Sequence, residues 1–252
     1  MRKKDKIKWL ILAWTIALFG GIVFWLLRLT KRNQVKGCKD IKLNSKPEGL
    51  ILAHNHPSLW EPILLPFLFF PKFLFNLNFI PFITPDRRNF FEKWWFLPFR
   101  QVCLPIPRGD FSGEIKILRE MKETLEKGRI LILAPEGGRT FKGKDFKVIE
   151  KGTIKTSDSQ EEINGKKRIR RFKRGIGWLV LNTKAKVLLV WTEGGDKVIP
   201  NSPSIHFVFP KFWKKTIFKI KEVPELSQNS LLSEDEIIEF LEDTMLKLGD
   251  GV

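Results

Sequence analysis

From Trp9 to Leu27 the sequence WLILAWTIALFGGIVFWLL runs for nineteen residues without a charge. As a helix rising ~1.5 Å per residue it covers roughly 28 Å, close to the hydrocarbon thickness of a bilayer, and it reads as a retained membrane anchor. A cleaved signal peptide is the competing reading, but its apolar core is usually shorter, and no small-x-small pattern follows before Arg28 and Lys31. Gly20 and Gly21 leave open a bend in mid-run, hence a hairpin or a helix lying in one leaflet instead of a straight span. Arg2, Lys3, Lys4, Lys6 and Lys8 on one flank and Arg28, Lys31, Arg32 and Lys36 on the other leave the positive-inside bias barely able to orient it.

Beyond the anchor the pattern changes. GLILAH, residues 49–54, has the continuous apolar run of a short buried strand. The stretch from Pro62 to Pro85 is equally apolar, but Pro66, Pro71, Pro81 and Pro85 break it into short helices and a strand and argue against a second long span. Most of its Phe residues are expected in the core and some on an apolar surface beside the bilayer. FFEKWWFLPFR reads as helical and interfacial, and VCLPIPRGD as a strand ending in a basic turn. Ile115, Leu118, Met121 and Leu125 recur at helical spacing ahead of Gly128, the signature of an amphipathic helix with a glycine stop.

RILILAPEGGRT follows as a buried strand entering a Gly-rich loop. Residues 142–164 lack periodicity and lead into KKRIRRFKR, Lys166–Arg174, so 142–170 reads as a basic insertion or mobile loop. GIGWLVLNTKAKVLLVW gives a helix and then a strand, IHFVF and TIFKIKEV a strand pair, and SEDEIIEFLEDTMLKLG a closing helix whose Ser233 and Glu236 have capping-box spacing. Strand, helix and strand in that order predict an α/β fold, a mostly parallel central sheet flanked by helices. Residues 1–36 are assigned to the anchoring helical segment and 37–252 to one α/β domain; no internal repeat is present.

Composition sharpens this picture. Lys and Arg number 45 against 28 Asp and Glu, a net +17 that favours anionic partners: phospholipid headgroups, nucleic acid or phosphorylated metabolites. The 22 Phe and 9 Trp with no Tyr, and Trp-rich apolar stretches flanked by Lys and Arg, tilt the choice towards membrane. The basic run lacks interleaved stacking aromatics beyond Phe172, so it reads as a solvated loop and no nucleic-acid partner is expected. Cys38 and Cys103 show neither C-x-x-C nor metal-ligand spacing, so no disulfide framework or zinc site is indicated and a reducing, cytosol-facing location fits. Cys103 in its apolar strand reads as a core thiol, and His206 as structural.

Two clusters carry candidate chemistry. In HNHPSLWEP, His56 and Glu61 would stand about 140° apart on a continuous helix and could not meet. Pro57 and Pro62 disfavour helix at the residue before each, so both residues are expected outside regular helix, with a turn folding the carboxylate back onto the imidazole. Such a pair fixes the tautomer, leaves Nε2 as a base and stabilises the imidazolium formed when a hydroxyl is deprotonated. His54 has Leu59 at the same offset and lacks an acidic partner. In APEGGRT, the glycines let backbone N–H groups approach an anion and Arg139 can fork onto phosphate oxygens; Arg108 is a second candidate ligand, and a tight surface turn is the plainer alternative.

Taken in order, these pieces resemble the glycerophospholipid acyltransferase family, typified by 1-acylglycerol-3-phosphate acyltransferase, over roughly residues 49–195. NHPSLWE is similar to the family's Asn-His-x-Ser-x-x-Asp block, with Asn55, His56, Ser58 and Glu61. CLPIPRGD resembles its strand closing on an Arg, here Arg108; APEGGRT its Phe-Pro-Glu-Gly-Thr-Arg-Ser block, through Pro135, Glu136, Gly137 and Arg139; and FKRGIGWLVLNTKAKVLLV its Lys-x-Gly helix and final strand. The chain departs from the pattern with Glu61 for Asp, Gly138 for Thr, Ala134 for Phe and Leu189 for Pro.

The resemblance implies transfer of a fatty acyl group from a thioester, acyl-CoA or acyl-carrier protein, to the free hydroxyl of 1-acylglycerol-3-phosphate, giving phosphatidic acid. It implies His56 as general base and Glu61 as its orienting carboxylate, with Asn55, Ser58, Arg108, Glu136, Gly137, Gly138 and Arg139 around the acceptor. Neither a metal nor a cofactor beyond the acyl donor is implied, and the enzyme would sit at a membrane with its catalytic domain facing the cytosol. The alternatives are a related acyltransferase for another lysophospholipid or lipid hydroxyl, and a non-enzymatic tether that binds anionic lipid through the basic run.

Overall fold

The computed structural model describes residues 3–37, 49–142, 145–150, 152–157, 166–200, 209–227 and 232–251. Helix α1 spans Lys3–Leu29 and is followed by β1, Asn33–Lys36. Strand β2 is Leu50–His54, and the proline-broken segment then forms short helical turns between Glu61 and Phe79 before β3, Pro81–Ile83. Helix α2 covers Phe111–Glu126 and leads into β4, Ile130–Leu133. Strands β5 (Phe146–Glu150), β6 (Thr153–Ser157) and β7 (Lys167–Arg170) come next, then α3, Arg174–Asn182. Strand β8 (Lys186–Glu193), strand β9 (Thr216–Glu222) and helix α4 (Glu234–Asp250) complete the chain.

The central sheet has six strands in the order β1-β9-β8-β2-β4-β3. All neighbours run parallel except β8 and β9, in agreement with the mostly parallel sheet expected. Strands β2, β4 and β8 lie at its centre, with Ala53 opposite both Leu133 and Leu189. They are buried on both faces, which is why they read as unbroken apolar runs.

The pleat divides their side chains between two cores. Ile51, Ala53, Leu131, Leu133, Val187 and Leu189 face one way and pack with Leu125 of α2, Leu179 of α3 and Leu241 and Met245 of α4. Leu50, Leu52, Ile130, Ile132, Leu188 and Val190 face the other way, against Phe24 of α1 and Leu65, Phe69, Phe73 and Phe79 of the short turns. Three amphipathic helices thus cover one face, and the apolar helix with the proline-rich segment covers the other.

Some expectations change or are narrowed, and one falls outside the described residues. Helix α1 is continuous through Gly20 and Gly21; these glycines admit the rings of Phe67 and Phe70, which a Cβ at either position would strike. The segment around Phe90 is helical, as a π-turn over Arg87–Phe91 and a 3₁₀ run over Trp94–Val102, whereas VCLPIPRGD makes only isolated bridges at Cys103 and Ile106. The supposed basic insertion holds a three-stranded antiparallel sheet, β6-β5-β7, and the first part of the basic run, Lys167–Arg170, is one of its strands. TIFKIKEV pairs with β8 as β9, whereas its expected partner IHFVF, His206 included, lies outside the described residues, as does Cys38.

Candidate active site

The candidate residues gather at the carboxyl ends of β2, β4 and β8, where open α/β sheets bind ligands because the strands there give way to loops. Asn55 extends β2 by one step. Its amide Oδ1 accepts from the Thr192 N–H at 2.6 Å and its Nδ2 donates to the Thr192 carbonyl at 3.2 Å, so it is spent on locking the loop to the end of β8.

Pro57 starts a turn that returns at Glu61. Glu61 itself opens a four-residue helix, Glu61–Leu64, instead of lying outside helix; Pro62 is tolerated beside it because first-turn N–H groups have no intrahelical partner. The fold-back brings Glu61 Oε2 to 3.4 Å from His56 Nδ1. That is longer than a well-formed hydrogen bond, and His56 Nδ1 has no hydrogen-bond partner of good geometry. The two groups face each other, and a small tightening would complete the bond, as is common for catalytic pairs without substrate.

Glu61 is 0% exposed and its other contacts fix it in position: Oε1 accepts from Ser58 Oγ at 2.8 Å and Oε2 from the Ser58 N–H at 3.0 Å. Ser58, also fully buried, therefore positions the carboxylate rather than facing a substrate. Gly195, just past β8, backs this pair: a Cβ there would collide with Glu61 Oε1 and come within 2.9 Å of Ser58 Oγ. No local pattern marked Gly195, since it meets Glu61 only through the pairing of β2 with β8.

Glu136 was implied as an acceptor ligand, and its geometry gives it a different task. It is 0% exposed, Oε1 accepts from the His56 N–H and from Thr140 Oγ1, each at 2.9 Å, and Oε2 accepts from the Arg170 N–H at 3.0 Å. Burial pushes its carboxyl above the ordinary range while these donors pull it back. With Thr140 N–H donating to the His56 carbonyl at 2.9 Å, both backbone groups of His56 are tied to the loop after β4.

Gly137 has φ 67° and turns that loop, with Gly138 next to it. Arg108 lies in the turn before α2, half exposed, its Nε held by Asp86 Oδ2 at 3.0 Å. Arg139 stacks its guanidinium over Phe141 at 4.8 Å. Half-exposed Arg108 and partly buried Arg139 thus flank the glycine loop, while Asn55, Ser58 and Glu136 form the frame behind His56.

His54 and Cys103 are inert by environment. Burial pulls His54 down to about 4, helped by its neighbour His56, and its Nδ1 lies 2.7 Å from the Asn55 carbonyl. His54 is therefore neutral with the proton on Nδ1. Burial pushes the Cys103 thiol up to about 12, and it donates to the Phe99 carbonyl, as befits a core thiol. Among the described residues no cluster of His, Cys, Asp and Glu is arranged to hold a metal ion.

A family model described as "Acyltransferase" matches residues 34–193, which include both histidine–carboxylate and glycine–arginine clusters. Among solved structures, the chain is similar to the crystal structure of the 1-acyl-sn-glycerophosphate (LPA) acyltransferase, PlsC, from Thermotoga maritima. That match has a TM-score of 0.57 and 21% identity and covers 99% of this chain and 83% of the other. At that identity the likeness bears on the fold. No curated protein matches the chain.

Proposed function

The chain belongs to the acyltransferase family, and on that premise we propose that it moves a fatty acyl group from acyl-CoA or acyl-carrier protein to the free hydroxyl of 1-acylglycerol-3-phosphate. The observation that carries this reading is the approach of buried Glu61 to His56 Nδ1 at 3.4 Å, beside a glycine loop flanked by arginines. Glu61 holds the imidazole with its proton on Nδ1, which leaves Nε2 free to take the acceptor's hydroxyl proton. The oxygen attacks the thioester carbonyl, the tetrahedral adduct collapses with loss of the thiolate, and the imidazolium returns its proton to the sulfur. Glu61 stabilises the imidazolium between those steps. Neither an acyl-enzyme nor an oxidant is required.

Arg108, the glycine loop and Arg139 form the acceptor side in this reading, and Asn55, Ser58 and Glu136 hold His56 and Glu61 in register. Membrane attachment is the second element of the proposal. The stretch Ile11–Leu29 has mean hydropathy 1.9 with 11% of it buried, and Trp94, 76% exposed, sits on the 3₁₀ segment that packs against α1. A lipid acceptor would then stay in the leaflet while the thioester donor arrives from the cytosol.

The test is the pair of variants His56→Ala and Glu61→Ala in vesicles. Both should stay membrane-bound and lose acyl transfer by about 10²-fold or more, the usual contribution of a positioned base. Wild-type turnover in His56→Ala would remove the mechanism.

A further inference from the structure

Gly138 is flanked by cations. A Cβ built on it would stand 3.0 Å from Arg170 Nη1 and 3.6 Å from Arg108 Nη1, so two guanidinium groups from opposite sides of the loop converge on one point. Lys173 lies over the preceding glycine, its Cγ and Cε at 3.1 and 3.3 Å from a Cβ on Gly137. Arg170 Nε is buried with no hydrogen-bond partner among the described residues. A buried guanidinium N–H left unpaired is costly, and an anionic group seated where Arg170 Nη1 and Arg108 Nη1 converge would offset that cost through the rest of the guanidinium.

The segment carrying Arg170 is held rigidly from behind. Arg170 N–H donates to Glu136 Oε2, Phe172 N–H to Glu242 Oε1 at 2.6 Å, and Lys173 N–H to the Pro135 carbonyl at 2.8 Å. Arg171 pairs with Glu242 at 3.3 Å, which Lys147 also contacts at 3.1 Å. Asp86 offsets Arg108 through its Nε, Glu136 is taken up by three donors, and Glu242 lies behind the strand. With Lys173 over Gly137 and Arg139 next in the loop, the four basic residues here outnumber Asp86 and Glu136, on a preorganised backbone.

Resting on the acyl-transfer reading, we infer that Arg170, admitted by the absence of a side chain at Gly138, is a headgroup ligand that selects phosphomonoester acceptors over phosphodiester ones. A monoester carries about −1.5 to −2 charges at neutral pH and three terminal oxygens. A diester carries one charge and two such oxygens, too few for both forks. Exchanging a neutral hydroxyl side chain at 138 for a guanidinium brought in from β7 thus narrows the acceptor class.

Arg170→Gln and Gly138→Thr test this. Arg170→Gln keeps the backbone bond to Glu136, and Gly138→Thr should displace the guanidinium. With 1-acylglycerol-3-phosphate, each should raise the acceptor KM about tenfold, the low end for losing a charge-assisted hydrogen bond. For Arg170→Gln the donor KM should stay within about twofold, and the loss with lysophosphatidylglycerol should be clearly smaller than the loss with the monoester. An unchanged KM for the monoester, or equal losses on both acceptors, would overturn the assignment while leaving acyl transfer intact. If wild type turns over neither acceptor, the enzymatic reading has failed, and calorimetric titration of detergent-solubilised protein with 1-acylglycerol-3-phosphate still decides about Arg170. Weaker binding by Arg170→Gln supports the assignment, and equal binding overturns it.

Discussion

His56 owes its environment to residues that do not touch a substrate. Glu61 is placed by Ser58, Ser58 and Glu61 are admitted by Gly195, and the His56 backbone is held by Glu136 and Thr140. Gly195 is the sharpest of these dependencies, because its backbone is not in the left-handed region, unlike that of Gly194 at φ 79°, so replacing it tests space alone. Gly195→Ala should push the Glu61 carboxylate off His56 and cost activity about as much as removing the carboxylate, ~10²-fold, with acceptor KM little changed. Normal kcat in a folded Gly195→Ala protein would show that Glu61 is not held from that side. The approach of Glu61 to His56 was legible in sequence from the turn that Pro57 starts, whereas Pro62 does not keep Glu61 out of helix because it falls in the first helical turn. The roles of Glu136 and Asn55 were not, because the same residue types suit a surface loop, and only the sheet register turns them inward against β7 and β8.

At the scale of elements, the strands β2, β4 and β8 and the helices α2 and α4 follow directly from apolar runs, periodicity and caps; the Ser233–Glu236 capping box forms as its spacing implied. The small sheet β6-β5-β7 did not announce itself. Its strands read TIKTS, FKVIE and KRIR, in which charges mask the alternation, and it is secured by long-range ion pairs. Lys147 on β5 is the centre of them, 2.8 Å from Asp243 and 3.1 Å from Glu242 on α4. Burial alone would lower Lys147, but these carboxylates outweigh it and raise it. Lys147→Met leaves Glu242 buried with reduced compensation, so it should destabilise the protein by about 3 kcal/mol. Because β7 carries Arg170, it should also raise the acceptor KM. Thermal unfolding in detergent beside acceptor titrations checks both, and a stable variant with altered KM alone would detach the ion pairs from folding.

Across the whole molecule, the sheet separates two kinds of surface. One face carries amphipathic helices α2, α3 and α4 over a conventional core. The other carries α1 and the Phe-rich turns, with Phe75 and Trp94 left exposed beside an apolar helix that is itself mostly uncovered. The site opens at the carboxyl ends of the strands between these faces, which on our account brings a leaflet-bound acceptor and a soluble donor to one histidine. The net charge of +17 suits both partners, since phosphate headgroups and the donor's phosphates are anionic. The central claim is acyl transfer to a lysophosphatidic acceptor. Its most direct test is mass spectrometry of vesicles containing the purified protein and 1-acylglycerol-3-phosphate, supplied separately with labelled acyl-CoA and labelled acyl-carrier protein. Phosphatidic acid carrying the labelled chain should form in equal amount to the thiol released from at least one donor. Thiol release without labelled phosphatidic acid, or no turnover with either donor, would contradict it.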